Sequence, residues 1–243
     1  MPSLIHITET DSTNNYLKQL IHEQDVEEGT VVYCDFQTAG KGQRGNGWES
    51  EYSKNLTFSI VLYPNTIKAN EQFIISQLVS LSIVNGLSKH VDNISIKWPN
   101  DIYWNNKKIC GILIENALES DFILNSVIGI GININQETFV SNAPNPISLK
   151  NITGKEYNLV DLLTDIQNNM LHLYSQAKEG KTESICQKYK KLLFRSEGYH
   201  LYNDGMSDFQ AKIVSVEPDG ILILETKEGR KRNFAFKEVK FVL

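Results

Sequence analysis

Cysteine is scarce in this 243-residue chain, which contains only Cys34, Cys110 and Cys186, far apart in the sequence. An odd number of scattered cysteines, with no CxxC pair or Cys/His cluster, argues against a disulfide framework and against structural zinc. The first residues, MPSLIHITETDSTNN, also lack the basic and apolar regions of a secretory signal peptide. We therefore expect a protein of the reducing cytoplasm.

Long apolar runs and an excess of basic charge are also missing. The longest apolar-rich stretch, FILNSVIGIGINI, is too short and too polar to span a bilayer. The formal net charge is −5, which disfavours a general nucleic-acid binder but leaves room for a local basic loop. The remaining composition is that of a globular protein with one large domain, or one large and one small domain.

Both strand and helix patterns occur along the first 194 residues, which predicts an α+β domain with a mixed sheet. The predicted strands are LIHIT, TVVYCDF, NLTFSIVLY, ISIKW, KKICGILIEN and FILNSVIGIGINI. The predicted helices are DSTNNYLKQLIHE with Asp11 or Ser12 as N-cap, NEQFIISQLVSLSIVNGLSKH with Gly86 as its weak point, and about 159–194.

The C-terminal tail differs in pattern from the rest of the chain. The stretch FQAKIVSVEPDGILILETKEGRKRNFAFKEVKFVL alternates in short strands, interrupted by EPDG and KEGR, which are typical of hairpin turns. We predict a small β-barrel appended to the α+β domain, with the boundary between Phe194 and Gly198. The predicted domains are therefore residues 1–194 and 195–243.

The stretch QTAGKGQRGNGWES, residues 37–50, contains four glycines together with Lys41 and Arg44. A dinucleotide fingerprint needs a helix after its last glycine and an acidic residue about 20 positions later, and neither is present. A P-loop needs Lys-Ser/Thr after its second glycine, where this chain has Trp48 and Glu49. Two interpretations remain: a loop whose backbone amides bind an anion, or a flexible surface hairpin.

A second group of polar residues lies in IKWPNDIYWNNKKICGILIE. Lys97, Asn100 and Asp101 bring a cation, an amide and a carboxylate together within five residues, beside the bend set by Pro99. The alternative is an Asn-Asp turn with a surface lysine. Further along, Lys108 opens the next strand, in which Gly111 would allow a ligand to approach the backbone closely.

Gly129 and Gly131 interrupt the otherwise apolar strand in IGIGININ. Glycine weakens a strand interior, so two of them indicate either a second close approach to the backbone or a β-bulge. Asn133 and Asn135 should lie on one side of the chain, because side chains in a strand alternate with a period of two.

These motifs together resemble the biotin protein ligases (biotin–acetyl-CoA-carboxylase ligases), in order and in spacing, across residues 5 to 135. The resemblance implies a class II synthetase-like catalytic domain with a mixed β-sheet and flanking helices, followed by a small SH3-like β-barrel. It is carried by STN at 12–14, QTAGKGQRGNGW at 37–48, KWPND at 97–101, KKICGILIE at 107–115 and GIGININ at 129–135.

The reaction implied by the resemblance has two steps and uses ATP, Mg²⁺ and biotin. The carboxylate of biotin attacks the α-phosphate of MgATP, and a lysine of a biotin carboxyl carrier protein then attacks the biotinyl-5′-adenylate. Two anions meet in the first step, so cations and backbone donors should surround them. The adenylate is hydrolysed if water reaches it, so residues 37–50 are expected to act as a lid.

The resemblance also implies roles for the residues that match the family's motifs. Lys108, Arg44 and Asp101 are the expected catalytic residues; no protein cluster for a metal is expected, and Asp101 is the candidate ligand for Mg²⁺ bound with ATP. The expected biotin-binding residues are Ser12, Thr13, Asn14, Gln37, Gly40, Lys41, Gly42, Lys108, Gly111 and Gly129. The expected ATP-binding residues are Arg44, Trp48, Lys97, Asn100, Lys108, Gly131 and Asn133.

The chain departs from the family pattern in two places. The bacterial loop is often G-R-G-R-R-G-R, whereas this loop has Gln43 and Asn46 among its differences, so weaker retention of the adenylate is expected. Some members carry an N-terminal winged helix-turn-helix, for which the first strand at about residue 3 leaves no room, so we expect no DNA binding.

The sequence leaves open whether the chain forms a homodimer. The alternatives are a lipoate or octanoate ligase-type acyltransferase and a non-catalytic biotin-binding module.

Overall fold

The computed structural model describes residues 2–141 and 145–242; the side chain of Arg44 also lies outside the described part. The strands are β1 (Leu4–Thr10), β2 (Val31–Gln37), β3 (Leu56–Leu62), β4 (Ile94–Lys97), β5 (Asp101–Trp104), β6 (Lys107–Glu119), β7 (Phe122–Ile132), β8 (His200–Asn203), β9 (Asp208–Val216), β10 (Leu222–Thr226), β11 (Lys231–Phe234) and β12 (Lys240–Phe241). The helices are α1 (Thr13–Glu23), α2 (Phe73–Leu87), α3 (Leu149–Thr153), α4 (Leu159–Lys178) and α5 (Glu183–Lys191).

A seven-stranded mixed sheet in the order β1-β2-β3-β7-β6-β5-β4 forms the centre of the molecule. Strands β1 and β2 are parallel, and the other neighbouring pairs are antiparallel. Every residue of β3 is buried, because helices cover both faces of the sheet at its centre. On one face, α1 packs Leu17 against Val32, Val61 and Val127. This mixed sheet with flanking helices confirms the predicted α+β class.

Helix α2 lies on the other face of the sheet and is buried on nearly all sides. Most of its residues are apolar, and all of them are buried except Ser76 and Asn85. Helix α4 crosses it at Gly86, where an added methyl group would lie 2.8 Å from Cγ1 of Ile166. The predicted weak point of α2 is therefore the place where two helices approach closely.

The tail forms a five-stranded antiparallel sheet in the order β11-β10-β9-β8-β12. Two hydrogen bonds join this tail to the first part of the chain: Phe73 N donates to Pro218 O (3.1 Å) and Trp98 Nε1 donates to Gly220 O (3.0 Å). The strand-rich tail is as predicted, while the SH3-like assignment and the division at residue 194 stay predictions.

Three elements were missed by the sequence patterns, and one of them is β8, which precedes the predicted strands of the tail. Strand β5 has only four residues and immediately follows KWPN, and no strand was predicted there. Helix α3 has five residues and depends on a local capping box between Ser148 and Asn151. The helical run predicted for 159–194 is two helices, because Gly180 adopts a left-handed φ of 77° between them.

None of the helices in the described ranges is long and apolar enough to cross a membrane.

Replacing Gly86 with alanine should destabilise the fold. Alanine gains about 1 kcal/mol in helix propensity, but its methyl group would overlap Ile166, and overpacking of this kind costs about 1–3 kcal/mol. We expect a net loss of about 1 kcal/mol in the free energy of unfolding, measured by urea denaturation.

The double variant Gly86→Ala/Ile166→Ala is the control for this mechanism. Removing the Ile166 side chain makes room for the new methyl group, so the double variant should lose less stability than the sum of the single variants. Simple additivity would show that the Gly86–Ile166 contact does not limit the packing of α2 against α4.

Candidate active site

A cavity of about 760 Å³ opens where the start of α1, the 37–50 loop, strands β5 to β7 and the C-terminal strand meet. The cavity is lined by most of the residues singled out in the sequence. These are Ser12, Thr13, Asn14, Gln37, Lys41, Gly42, Trp48, Lys97, Asn100, Asp101, Lys108, Gly111, Gly129 and Gly131.

One end of the cavity is a polar corner at the N-terminus of α1. The amide of Thr13 donates to Gln37 Oε1 at 2.8 Å, and Thr13 Oγ1 donates to the same oxygen at 3.2 Å. Ser59 Oγ, on the fully buried strand β3, lies 2.7 Å from Thr13 Oγ1. Buried polar groups are stable only when they are hydrogen-bonded, so this network fixes the side chains facing the cavity.

Asn14 connects this corner to β6. Its Nδ2 donates to Glu115 Oε2 at 2.7 Å, and the other carboxylate oxygen of Glu115 pairs with Lys18. Burial tends to raise the pKa of Glu115, but the hydrogen bonds from Lys18 and Asn14 outweigh it and leave the pKa below its usual range. Glycine is required at 129, because a methyl group there would lie 2.4 Å from Asn14 Oδ1.

The glycine-rich loop folds back on itself as a short hairpin. Trp48 N donates to Gly40 O at 2.9 Å, and Gly42 N donates to Asn46 O at 2.7 Å. Lys41 reaches across to α1, where its Nζ donates to Asn15 Oδ1 at 2.8 Å. The start of the loop therefore lies next to α1, and its end lies next to the sheet.

The indole of Trp48 lies flat against glycine backbone on the sheet. A methyl group at Gly131 would lie 2.3 Å from Trp48 Cε2, and one at Gly111 would lie 3.1 Å from Trp48 Cζ3. Gly111 and Gly131 are directly paired across β6 and β7. The close approach predicted at these glycines is therefore made by a tryptophan of the chain itself. Its buried Nε1 has no hydrogen-bond partner among the described residues.

Lys108 lies at the centre of the cavity wall. Its Nζ pairs with Asp101 Oδ1 at 2.6 Å and is 5.9 Å from the centre of the Trp48 ring. Regular alternation would place Lys108 and Gly111 on opposite faces of β6. The register instead shifts between Ile102 and Tyr103 of β5, so β6 has one extra residue there. This bulge turns Lys108 to the cavity face, and it turns Ile109 and Cys110 to the core.

The KWPND segment brings further donors to the same wall. Asn100 Nδ2 donates to Ile112 O at 2.8 Å, which holds the segment against β6. Lys97 Nζ donates to the hydroxyl of Tyr103 at 3.2 Å. Burial lowers the pKa of Lys97, and the same cause raises the pKa of Tyr103.

Metal-binding residues are sparse in the described part of the chain. No group of three His, Cys, Asp or Glu side chains there could hold a metal ion. Asp101 is the one carboxylate among the described residues that line the cavity. Mg²⁺ in nucleotide sites is usually held by one or two carboxylates together with phosphate oxygens, so Asp101 fits such an ion.

The structure does not bring every predicted residue to the cavity. Gly40 accepts a backbone hydrogen bond from Trp48, and Asn133 is buried beyond the end of β7; neither is among the described lining residues. The side chain of Arg44 lies outside the described residues. The sequence analysis also missed part of the wall, because long-range packing brings it there. The missed residues include Thr57, Trp98, Tyr103, Phe236, Lys237, Val239, Lys240 and Phe241.

Comparison with known proteins agrees with this arrangement. The profile of the Biotin/lipoate A/B protein ligase family matches residues 7–133, just over half of the chain. This chain belongs to that family. The matched range contains the polar corner, the loop, the KWPND segment and Lys108, so the family assignment covers most of the cavity.

Individual members of the ligase family are similar over longer stretches. The Bifunctional ligase/repressor BirA of Bacillus spizizenii is 29% identical over 243 residues, covering 96% of this chain and 72% of that protein. A biotin–acetyl-CoA-carboxylase ligase of Mycobacterium tuberculosis is 27% identical over 135 residues, covering 54% and 48%. The structure of the biotin protein ligase from Aquifex aeolicus in complex with biotin and ATP has a TM-score of 0.82 and 27% identity, covering 100% of both chains.

Gly131→Ala should displace Trp48 from the sheet, because the new methyl group would occupy the space of the indole ring. Chains labelled with 5-fluorotryptophan carry three probes, since the sequence has three tryptophans. We expect the ¹⁹F resonance of Trp48, assigned with Trp48→Phe, to move towards that of exposed indole.

Gly47→Ala is the matched control for Gly131→Ala. It adds a methyl group to the same loop, and the nearest atom would be Gly40 O at 3.9 Å. It should leave the Trp48 resonance in place. An unmoved Trp48 signal in Gly131→Ala would contradict the packing described here.

Proposed function

We propose that this chain attaches biotin to a lysine of a biotin carboxyl carrier domain, in an ATP-dependent reaction that passes through biotinyl-5′-AMP. The observation that carries the proposal is the position of Lys108. Its ammonium group lies in one cavity with the polar corner at Thr13 and Gln37 and with the Trp48–Lys97 side. The names of the relatives and the biotin and ATP bound in the Aquifex aeolicus structure support this activity.

Biotin would lie with its ureido ring in the polar corner. A ureido group offers two N–H donors and one carbonyl acceptor, and the hydroxyls and amides of Ser12, Thr13 and Gln37 can satisfy both kinds of group. Gly129 leaves room for Asn14 beside them. The valeryl carboxylate of biotin would then point towards Lys108.

The nucleotide would occupy the other end of the cavity. Trp48, already packed on backbone, offers a rigid aromatic face for adenine. Lys97 and Lys108 provide positive charge along the path of the phosphates. Asn133 would contribute indirectly by holding the end of β7, since it does not line the described cavity.

In the first step a carboxylate oxygen of biotin forms a bond to the α-phosphorus, and the bond from that phosphorus to the bridging oxygen breaks. Pyrophosphate leaves with the electron pair of that bond. The ammonium of Lys108 attracts both the carboxylate and the α-phosphate, which lowers the repulsion between two anions and stabilises the charge of the transition state. Asp101 fixes the direction of that ammonium group.

In the second step the amine of the acceptor lysine attacks the acyl carbon of the adenylate. An amide bond forms, the bond from the acyl carbon to the phosphate oxygen breaks, and AMP leaves. Asp101 would accept the proton that the acceptor amine loses, since it is the one carboxylate among the described lining residues. The loop hairpin would exclude water from the adenylate meanwhile.

Asp101 would also be the protein ligand of Mg²⁺ that accompanies ATP. When bound, this ion supplies positive charge that screens the phosphate oxygens. The remaining ligands would be phosphate oxygens and water, since the described residues provide no further carboxylate in the cavity.

Pyrophosphate exchange tests the acid specificity. The purified chain is incubated with MgATP and with biotin, lipoate or octanoate in turn, followed by transfer to a biotin carboxyl carrier domain. Exchange and transfer with biotin are expected. Exchange with lipoate or octanoate alone would assign the chain to the other branch of its family, and biotin binding without exchange would make it a binding module.

Lys108→Ala should reduce biotin-dependent exchange by about a hundredfold to a thousandfold, the usual effect of removing a group that stabilises transition-state charge. The fold should persist, because Lys108 is only half-buried. Lys107→Ala is the matched control, since Lys107 is the preceding lysine of the same strand and is exposed. Near-normal exchange in Lys108→Ala would remove this lysine from the mechanism.

A further inference from the structure

The ammonium group of Lys97 contacts two aromatic residues. Its Nζ donates to the hydroxyl of Tyr103 at 3.2 Å, at the edge of that ring, and lies 5.5 Å from the centre of the Phe241 ring. Tyr103 belongs to β5 of the first sheet, whereas Phe241 belongs to β12 of the C-terminal sheet. Side chains of both sheets therefore contact one cation.

Lys97 has a second unusual property, which is that it forms no ion pair with any described residue. Asp101 is the near carboxylate, but it pairs with Lys108 at 2.6 Å. The ring of Phe241 attracts the cation and the hydroxyl of Tyr103 accepts a hydrogen bond from it, and neither contact neutralises its charge. A half-buried lysine held in this way keeps its charge available for an anion in the cavity.

The position of Phe241 is itself fixed by several contacts. It pairs with Tyr202 in the register of β12 and β8, and its ring centre is 5.0 Å from that of Tyr202 and 6.2 Å from that of Phe194. The next residue is clamped, because Arg195 Nη2 donates to Val242 O at 2.7 Å. Phe241 nevertheless lines the cavity instead of being enclosed in the core.

We propose that Phe241 is a positioning residue for the first step of the reaction, which holds the Lys97 ammonium towards the phosphates of ATP. The C-terminal strand would thereby act on adenylate formation through a side chain of the KWPND segment. This inference rests on the proposed function, since it takes ATP as the anion.

Phe241→Leu removes the aromatic face and keeps an apolar side chain of similar reach. We expect the KM for MgATP in biotin-dependent pyrophosphate exchange to rise about three- to tenfold, from the strength of a partly buried cation–π contact. The Kd for biotin, measured without ATP, should not change, because the polar corner lies at the other end of the cavity. Phe241→Tyr retains the ring and should restore the wild-type KM.

Phe209→Leu is the matched control. It removes a phenylalanine ring from the same C-terminal sheet, where Phe209 stacks on Tyr202 with ring centres 6.0 Å apart. Phe209 does not line the described cavity, so its loss should leave the KM for MgATP unchanged. An equal rise of this KM in Phe209→Leu and Phe241→Leu would overturn the proposal, because it would show a general effect of the sheet.

Acetylation of Lys97, followed by mass spectrometry, gives a readout that needs no turnover. In the substrate-free protein Lys97 should react faster in Phe241→Leu than in the wild type and in Phe209→Leu, because one face of the amine is opened. Equal rates would overturn the positioning role. The two claims can fail separately. If the wild type shows no biotin-dependent exchange but Lys97 is acetylated faster in Phe241→Leu, the proposed function fails and the contact between Phe241 and Lys97 stands.

Discussion

The packing of Trp48 onto bare backbone is the contact on which the shape of the site depends. Gly111 and Gly131 face each other across β6 and β7, and they create a patch of sheet without side chains. The indole fills that patch, which brings the end of the 37–50 loop down to the sheet. The loop begins at Gln37, which hydrogen-bonds to Thr13 of α1. The Trp48 contact therefore fixes the other end of the loop and keeps the loop close to the polar corner.

The charge of the cavity differs from that of the whole chain. The formal net charge is −5, yet five lysines and one carboxylate are among the described residues that line the cavity. Walls of low dielectric constant strengthen the field of such a cluster, which attracts anions into the cleft. Local concentration of positive charge, and not overall composition, therefore fits the chain to a nucleotide and a carboxylate.

Sequence patterns predicted most of the central sheet, and the family resemblance predicted about half of the lining residues, because these lie in short motifs with strong local chemistry. Lys108 was predicted in the site, but the bulge that turns it to the cavity is seen only in the pairing of β5 with β6. The sequence patterns missed Phe241, since nothing local relates the last strand to KWPND. Glycines at 111 and 131 were correctly identified as points of close approach, but a pattern cannot say what approaches them.

The bulge in β6 also affects how the site responds to oxidants and thiol reagents. It turns Cys110 into the core, fully buried, and burial raises the pKa of its thiol well above the usual range. The thiolate is the reactive form, so this cysteine is protected although Lys108 is two residues away. Cys34 is buried too, which leaves Cys186 on α5 as the most accessible of the three thiols. Maleimide labelling should therefore mark α5 and spare the cavity wall.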